Sequence, residues 1–251
     1  MEEGIYIYCI IESKEPESFS AIGIGGRGDD VYTVCFKDIS AVVSKSPIKK
    51  YAVSRENLIT HERVIEEAMK IHTVLPVRFA TIAENEEKVK KILEKEYQKF
   101  CDLLKNMENK KELSLKIMFK DDMVYKEILE KNQDIKIMKE KISEMPPEKS
   151  HYQRMEIGRM VESALQQEKE QCKEDVLNAL SRISVGMVTN NTYGELMVVN
   201  AAFLVEKEME NEFDHSVQTL ADKYGEKVRF KYTGTLPPFN FVNLVINMVD
   251  S

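Results

Sequence analysis

The sequence is short of the residue types from which catalytic and metal centres are usually built. Its 251 residues include only four histidines and four cysteines, and no tryptophan. The cysteines are scattered and form no CxxC pair, so free thiols in a reducing compartment explain them better than disulfides or a zinc site. No nucleophile with a base and an orienting acid can be placed, and no P-loop is present. We therefore expect a protein that is not an enzyme and has no metal or cofactor.

An excess of positive charge is also missing. The 36 basic and 43 acidic residues give a formal net charge of -7, so nucleic acid is not expected as a partner. No apolar run reaches the roughly 18–20 residues that cross a bilayer. The first ten residues, MEEGIYIYCI, lack the basic region and the long apolar stretch of a signal peptide. We expect a cytoplasmic protein that does not enter a membrane.

The residues that are present predict a globular α+β protein with two domains. Hydrophobic residues make up 43% of the chain and charged residues 31%, which is enough apolar surface for a core. A short polar segment, Glu108 to Glu112, marks the boundary. We expect an N-terminal α+β domain over residues 1–110, a second domain over residues 111–235, and a tail over residues 236–251 that packs against the first domain.

The N-terminal domain is predicted to be a small sheet with helices. Its first strand is rich in Ile and Tyr and should be buried on both faces. Proline cannot donate to a strand ladder, so the strand containing Pro76 should lie at an edge or break there. The predicted elements are strands Ile5–Ile11, Val31–Phe36 and Ser40–Ser44 with a turn at Lys37-Asp38, a helix capped by Ser54 and ending near Lys70, a strand Thr73–Thr81 and a helix Glu84–Met107.

The second domain follows the order strand, helix, strand, strand, helix, strand, which is the ferredoxin-like plan with an enlarged first helical connection. This order predicts an antiparallel sheet with helices on one face. The charged segment 121–149 has no assignable role beyond a solvated surface. The predicted elements are strand Leu113–Phe119, a charged helical region broken at Pro146-Pro147 and continuing over Ser150–Leu180, strands Ile183–Thr189 and Leu196–Val205, helix Glu206–Tyr224 and strand Lys227–Thr235.

Two short motifs resemble functional sites without meeting their requirements. Gly23, Gly25 and Gly28 spell GxGxxG, but a dinucleotide site needs a helix after this loop, and a strand is predicted instead. We interpret the loop as a connection whose glycines allow positive φ. His61-Glu62 lacks the second histidine of a metalloprotease, since position 65 is isoleucine. Local hydrogen bonding is favoured for both residues, with a protein contact as the alternative.

Two further candidates concern packing. We expect Arg78 to form a buried ion pair with Glu62, because guanidinium can bind a carboxylate through two parallel hydrogen bonds. The segment Tyr232–Val242 combines a glycine, two prolines and two phenylalanines. Its prolines end the sheet and fix an extended path. Packing is favoured for this segment, and a rigid aromatic binding surface is the alternative.

Several stretches together resemble the gas vesicle GvpF/GvpL family. They are His61-Glu62-Arg63-Val64 followed by TVLPVRFATI from Thr73, the stretch NAAFLV from Asn200, and YTGTLPPFNFV from Tyr232, with the opening IYIYCI and the later DISAVVS also fitting. The resemblance covers nearly the whole chain in order. The family ending commonly has Pro-Trp where this chain has Thr235-Leu236.

The resemblance implies an accessory or minor structural protein of gas vesicle assembly, located in the cytoplasm and gas vesicle, whose partners are the shell protein and other gas vesicle accessory proteins. A shell subunit exposes apolar surface before it assembles, and a helper could cover it by strand addition or in a groove. The candidate structural or interaction residues are His61, Glu62, Arg78, Phe79, Tyr232, Gly234, Pro237, Pro238, Phe239 and Phe241.

Two alternatives of other classes stay open at this point. One is a ligand-binding regulatory module, which rests only on the ferredoxin-like plan. The other, and weaker, is a hydrolase or transferase, which would need clustered acids and histidines in a cleft. The oligomeric state, the partner surface and the choice between the F and L members are not determined by the sequence.

Overall fold

The computed structural model describes residues 2–143, 145–146 and 150–246. It is a mixed α/β protein with antiparallel sheets and helices. The chain divides into two compact units: the first comprises Met1–Glu112 with Gly234–Ser251, and the second comprises Leu113–Thr233. None of the helices in the described ranges combines the length and the apolarity needed to span a bilayer.

The first unit is built on a six-stranded sheet with the order β2-β3-β4-β1-β5, in which β6 also pairs with β1. Three helices accompany the sheet. The elements are β1 Glu3–Glu12, β2 Ser18–Ile22, β3 Asp30–Phe36, β4 Ile39–Pro47, α1 Arg55–Met69, β5 Val74–Pro76, β6 Ile82–Ala83, α2 Glu86–Lys95 and α3 Tyr97–Met107.

Strand β1 is buried on both faces, as its composition predicted. Ile5, Ile7 and Ile10 belong to the core that includes residues of α2 and α3, whereas Tyr6 and Tyr8 belong to the core that includes residues of α1. The register against β4 shifts between Ile7 and Cys9. A bulge inserts one extra residue, which explains why the isoleucines change from a spacing of two to a spacing of three and remain on one face.

The local signals at the hairpin and at α1 are confirmed. Lys37 and Asp38 form the turn between β3 and β4, and Lys37 has a φ of 54°. Ser54 caps α1, because its Oγ accepts a hydrogen bond from the backbone N–H of Asn57 at 3.2 Å. Such a cap satisfies one of the free amides at the helix N-terminus.

The prediction of one helix over Glu84–Met107 is wrong, because α2 and α3 are separate helices. Glu96 lies between them with φ -101° and ψ 12°, outside the helical region. No glycine or proline marks the break. The next residue is Tyr97. The centroid of its ring lies 5.9 Å from that of Phe36, and its hydroxyl donates a hydrogen bond to Asp38. Contacts with the distant β3–β4 turn accompany this break, and the local pattern does not contain them.

Two further corrections concern strands. The predicted strand Thr73–Thr81 is too long, because β5 ends at Pro76; one further backbone bond to β1 follows, in which the N–H of Val77 donates to the carbonyl of Tyr8 at 2.9 Å. β5 is the last strand in the sheet order, at the predicted edge. Strand β2 was missed, since its segment was expected to be a loop. β2 has five residues, and its pairing with β3 shifts in register between Phe19 and Ile22. An alternation of buried and exposed residues over so short a strand does not identify it in the sequence.

The second unit has a four-stranded sheet with the order β10-β7-β9-β8. Side chains of the sheet and of its helices form a single core cluster, in which the rings of Phe203 and Phe213 lie 5.2 Å apart. The elements are β7 Lys110–Phe119, which starts in the first unit, α4 Asp121–Lys131, α5 Gln133–Ser143, α6 His151–Ser181, β8 Gly186–Thr189, β9 Met197–Glu206, α7 Glu210–Tyr224 and β10 Val228–Leu236.

The element types predicted for this unit are confirmed, with shifted bounds. Strand β8 starts at Gly186, three residues later than predicted. A 3-10 turn, Lys207–Met209, precedes α7, so the predicted helix start at Glu206 is too early. In the charged segment, residues 144 and 147–149 lie outside the described residues, and the predicted break at Pro146-Pro147 is described only for Pro146.

Candidate functional site

The first unit contains an open groove of about 640 Å³ between α1, the end of β5 and the residues that follow Pro238. We call it the terminal groove. Most of its lining side chains are apolar. It is lined by Leu58, His61, Glu62, Pro76, Val77, Arg78, Phe79, Phe239, Val242, Asn243, Leu244 and Val245.

One wall of the groove is a face of α1. Leu58, His61 and Glu62 are spaced three and four residues apart, so they lie on the same side of the helix. His61 is buried, with 3% of its surface exposed, whereas Leu58 is 40% exposed. The wall is therefore buried at its bottom, at His61, and has an apolar rim that faces solvent at Leu58.

His61 is held by two hydrogen bonds. Its Nε2 lies 3.2 Å from the carbonyl oxygen of Val77, and its Nδ1 lies 3.1 Å from the hydroxyl of Tyr6. A carbonyl oxygen only accepts, so the proton is on Nε2, and Nδ1 of the neutral ring accepts from Tyr6. The Tyr6 oxygen in turn accepts the backbone N–H of Ala80 at 2.8 Å. These contacts tie α1 to strand β1 and to the segment after β5.

Burial lowers the pKa of His61 to about 4, although the Val77 carbonyl acts in the opposite direction. The side chain is therefore neutral at physiological pH. Aromatic rings complete its surroundings: Phe79 lies edge-on at 5.7 Å and Phe239 lies at 6.4 Å between centroids. The bottom of the groove is therefore neutral and lined by aromatic rings. Such a surface stabilises the fold and favours apolar contacts.

The expected ion pair between Glu62 and Arg78 is not formed among the described residues. Arg78 is exposed and Glu62 is half-buried. The pKa of Glu62 is raised, first by burial and then by the nearby charge of Glu66. An arginine partner would have lowered this pKa instead. Glu62 and Arg78 are thus separate polar groups in an otherwise apolar groove.

The other wall is the segment 237–246, which the two prolines begin. Pro237 and Pro238 are buried, and the carbonyl of Pro238 accepts the N–H of Val242 at 2.8 Å, which closes a turn. Leu244 then forms a parallel bridge with Val77. This bridge places Val242, Leu244 and Val245 in the groove.

A buried carboxylate anchors this wall. Glu112 is 2% exposed, and it accepts the backbone N–H of Asn240 at 2.9 Å and the Asn240 side-chain amide at 2.6 Å. Burial raises the pKa of Glu112, and the two Asn240 hydrogen bonds act against this rise. Because both oxygens receive a donor, the carboxylate fixes the position of the turn that carries Phe239.

The structure brings together only part of the predicted set. His61, Glu62, Arg78, Phe79 and Phe239 line the groove. Pro237 and Pro238 are buried before the turn, Phe241 is half-buried within it, and Gly234 is exposed.

Tyr232 belongs to the second unit, where its hydroxyl donates to Asp214 at 2.5 Å and its ring packs against Phe213.

Sequence reasoning missed the residues that complete the groove. Leu58 could have been found from its helical spacing to His61. The remaining ones required the tertiary structure, because no local pattern relates the chain near Val77 to the chain near Leu244, or Glu112 to Asn240. Among the described residues, no group of three or more His, Cys, Asp or Glu side chains could hold a metal ion.

The comparisons with known proteins agree with one another. The family model for the gas vesicle synthesis protein GvpL/GvpF matches residues 4–243. The chain is 28% identical to gas vesicle protein F of Nostoc sp., over 97% of this chain and 100% of that protein. It is 22% identical to gas vesicle protein L1 of Halobacterium salinarum, over 96% and 91% of the two chains.

Solved structures show the same similarity. The crystal structure of GvpF from Anabaena sp. aligns with a TM-score of 0.81 at 27% identity, over 97% of this chain and 100% of that one. The crystal structure of GvpF from Microcystis aeruginosa has a TM-score of 0.74 at 24% identity, over 96% and 99%, and supports the fold alone. These relatives are named as gas vesicle proteins, which supports a role in gas vesicle formation. The resemblance expected from the sequence is confirmed, and the chain belongs to the GvpL/GvpF family of gas vesicle synthesis proteins.

Proposed function

We propose that this protein is an accessory protein of gas vesicle assembly that binds an apolar segment of the shell subunit in the terminal groove. The observation that carries the proposal is the exposed apolar rim of the groove. Leu58, Phe239 and Val245 are 40%, 42% and 50% exposed, on a chain of which 31% of the residues are charged. Grouped apolar side chains at a concave surface are typical of binding sites.

The chemistry of the groove fits contact rather than catalysis. His61 is enclosed and neutral, and its two nitrogens are occupied by Val77 and Tyr6, so it is not available as an acid or a base. Glu62 and Arg78 are the charged lining groups. In an apolar site a few polar groups fix the orientation of the bound segment. We propose that they do so for the shell subunit, and that other gas vesicle proteins are further partners.

The physical need for such a helper follows from the shell. A gas-filled shell must have an apolar inner face to exclude water, so its subunits expose apolar surface before they assemble. Such surface aggregates unless it is covered. A protein that covers one segment in a groove, and releases it at the growing shell, would keep the subunits competent for assembly.

Co-expression of the protein with a shell subunit tests this proposal. We expect the subunit to be recovered in the soluble fraction and to co-purify with the wild-type protein. Leu58→Glu and Phe239→Glu place a carboxylate in the apolar rim and should reduce co-purification at least about tenfold, which corresponds to about 1.4 kcal/mol. Ile71→Glu is the matched control, because Ile71 is 68% exposed and does not line the groove.

The result tests both the binding of the shell subunit and the place where it binds. Equal recovery of the subunit with the wild type, the two groove variants and the control would refute binding in this groove. No recovery with the correctly folded wild type would refute binding of the shell subunit altogether.

For the architecture, we propose that the two units are domains, that the second is ferredoxin-like, and that residues 236–246 pack as a tail on the first; the rest of the expected tail, residues 247–251, lies outside the described residues. The strand order β10-β7-β9-β8, with helices in the connections from β7 to β8 and from β9 to β10, supports the ferredoxin-like assignment. We also propose that the protein works in the cytoplasm; its four free cysteines fit a reducing compartment.

A further inference from the structure

Most edge strands of the described sheets carry devices that discourage pairing with other chains. Exposed Arg229 and Lys231 lie on the edge strand β10, and β5 contains Pro76. Strand β2 is irregular between Phe19 and Ile22 and packs against α1. Charges, prolines and bulges are the usual means of protecting an edge. Strand β8, the outermost strand of the second sheet, has no charge or proline.

The neutral region extends beyond β8 itself. From Ile183 to Gly194 the sequence contains no charged residue and no proline, between Arg182 and Glu195. Val185 and Met187 are 53% and 38% exposed. A strand edge without charge or proline lacks the usual protection against pairing. The neutral run leaves an apolar, uncharged edge open to solvent.

The register of the β8–β9 pair shows which backbone groups face outward. The N–H of Asn190 donates to the carbonyl of Asn200 at 2.7 Å, and the pairing continues with Thr189 opposite Ala201. Hydrogen-bonded and non-bonded pairs alternate along an antiparallel ladder. The N–H and C=O groups of Met187 and Thr189 therefore point away from β9, toward the open edge.

We propose that β8 pairs antiparallel with β8 of a second copy of this chain, around a two-fold axis that passes beside Val188. In this register the N–H of Met187 donates to the carbonyl of Thr189 of the partner subunit, and the N–H of the partner subunit's Thr189 donates to the carbonyl of Met187. The two sheets then form one continuous eight-stranded sheet.

A second copy is the occupant that this edge fits best. An antiparallel two-fold pairing brings each residue opposite one from the same segment, so a charged segment would oppose like charges, which is destabilising. The run Ile183–Gly194 avoids this conflict because it is neutral throughout. The outward groups of Met187 and Thr189 also match each other about Val188, which is the self-complementarity that a closed dimer requires.

Sedimentation velocity over a range of protein concentrations tests this proposal. We expect a concentration-dependent dimer for the wild type. Met187→Pro removes the outward N–H without touching the ladder to β9, and Met187→Lys adds a charge at the edge. Each should raise the dimer dissociation constant at least about tenfold, whereas Tyr152→Lys, at a 73% exposed position of α6 outside this run, should not.

A cross-link provides positive evidence that does not depend on these variants folding. Facing residues of a non-bonded antiparallel pair have Cα atoms roughly 4.5 Å apart, which suits a disulfide. Val188→Cys should therefore form a covalent dimer under mild oxidation, and Tyr193→Cys should not. A wild type that stays monomeric at all concentrations, or a Val188→Cys variant that cross-links no better than Tyr193→Cys, would overturn the proposal. Recovery of the shell subunit is measured separately and bears only on the groove.

Discussion

Lowering the pH should destabilise the first unit through the buried histidine of the terminal groove. His61 accepts from Tyr6 and donates to Val77 as a neutral ring. Protonation would place a second N–H against the Tyr6 hydroxyl and a charge inside an apolar core. The unfolded chain has no such constraint, so it binds a proton to this residue at a higher pH than the folded chain does.

The magnitude follows from the two pKa values. Burial lowers the pKa of His61 from 6.5 to about 4. Because the folded pKa is depressed, the stabilisation is fully present above pH 6.5 and is lost as the pH falls toward about 4. Between neutral pH and pH 5 the loss spans about one and a half units, which is about 2 kcal/mol of unfolding free energy.

Two carboxyl groups, Glu62 and Glu112, act in the opposite direction, and their effect on stability must be separated from that of His61. The pKa values of Glu62 and Glu112 are raised by burial, so protonation of these carboxyl groups favours the folded state as the pH falls. A comparison between the wild type and His61→Gln removes their contribution, because they are common to both proteins. His215→Gln is the matched control, since His215 is exposed.

The assay is urea unfolding at pH 7 and pH 5, with hydrogen exchange of β1 and α1 reporting on the first unit. We expect the wild type to lose about 2 kcal/mol more than His61→Gln between the two pH values, and His215→Gln to behave as the wild type. Parallel pH profiles for the wild type and His61→Gln would refute the assignment of a buried neutral His61.

Three further outcomes are expected. Gly23→Ala should lower the free energy of unfolding by about 1–3 kcal/mol, and with it the melting temperature, because a Cβ there would lie 2.7 Å from the hydroxyl oxygen of Ser44. Gly158→Ala lies inside α6, where an added Cβ would meet no atom within 4 Å. It should instead raise the free energy of unfolding by about 0.5–1 kcal/mol. Asn240→Ala removes the side-chain amide that donates to the buried Glu112 carboxylate and keeps the backbone N–H donor; it should cost about 1–3 kcal/mol and speed hydrogen exchange in residues 237–246. Unchanged exchange in that segment would show that Glu112 does not anchor the groove wall.

The loop at Gly23 shows how a motif is decided by its neighbours. The GxGxxG pattern is followed by β3, a strand, so no helix N-terminus is available for a phosphate. Gly25 and Gly28 have φ values of 92° and 83°, as a turn-forming connection requires. Gly23 has another role, because its lack of a side chain allows close approach to Ser44.

The sequence by itself determined the order and type of most elements, because these depend on local chemistry. Ser54 caps α1, the strand with Pro76 lies at the sheet edge, and the alternation of apolar residues identifies β7. The order of family motifs along the chain also identified the family. These signals act between residues close in sequence, where spacing alone determines which side chains share a face.

Only the tertiary structure decided the groove and the break between α2 and α3. His61, Phe79 and Phe239 meet because Leu244 bridges to Val77 and Asn240 is bound by Glu112. The Val77–Leu244 bridge and the Glu112–Asn240 hydrogen bonds join residues more than a hundred positions apart, and no local pattern encodes their partners. The expected pairing of Glu62 with Arg78 is not formed, because Glu62 lies on α1 and Arg78 follows β5, and tertiary packing sets the directions of side chains on separate elements.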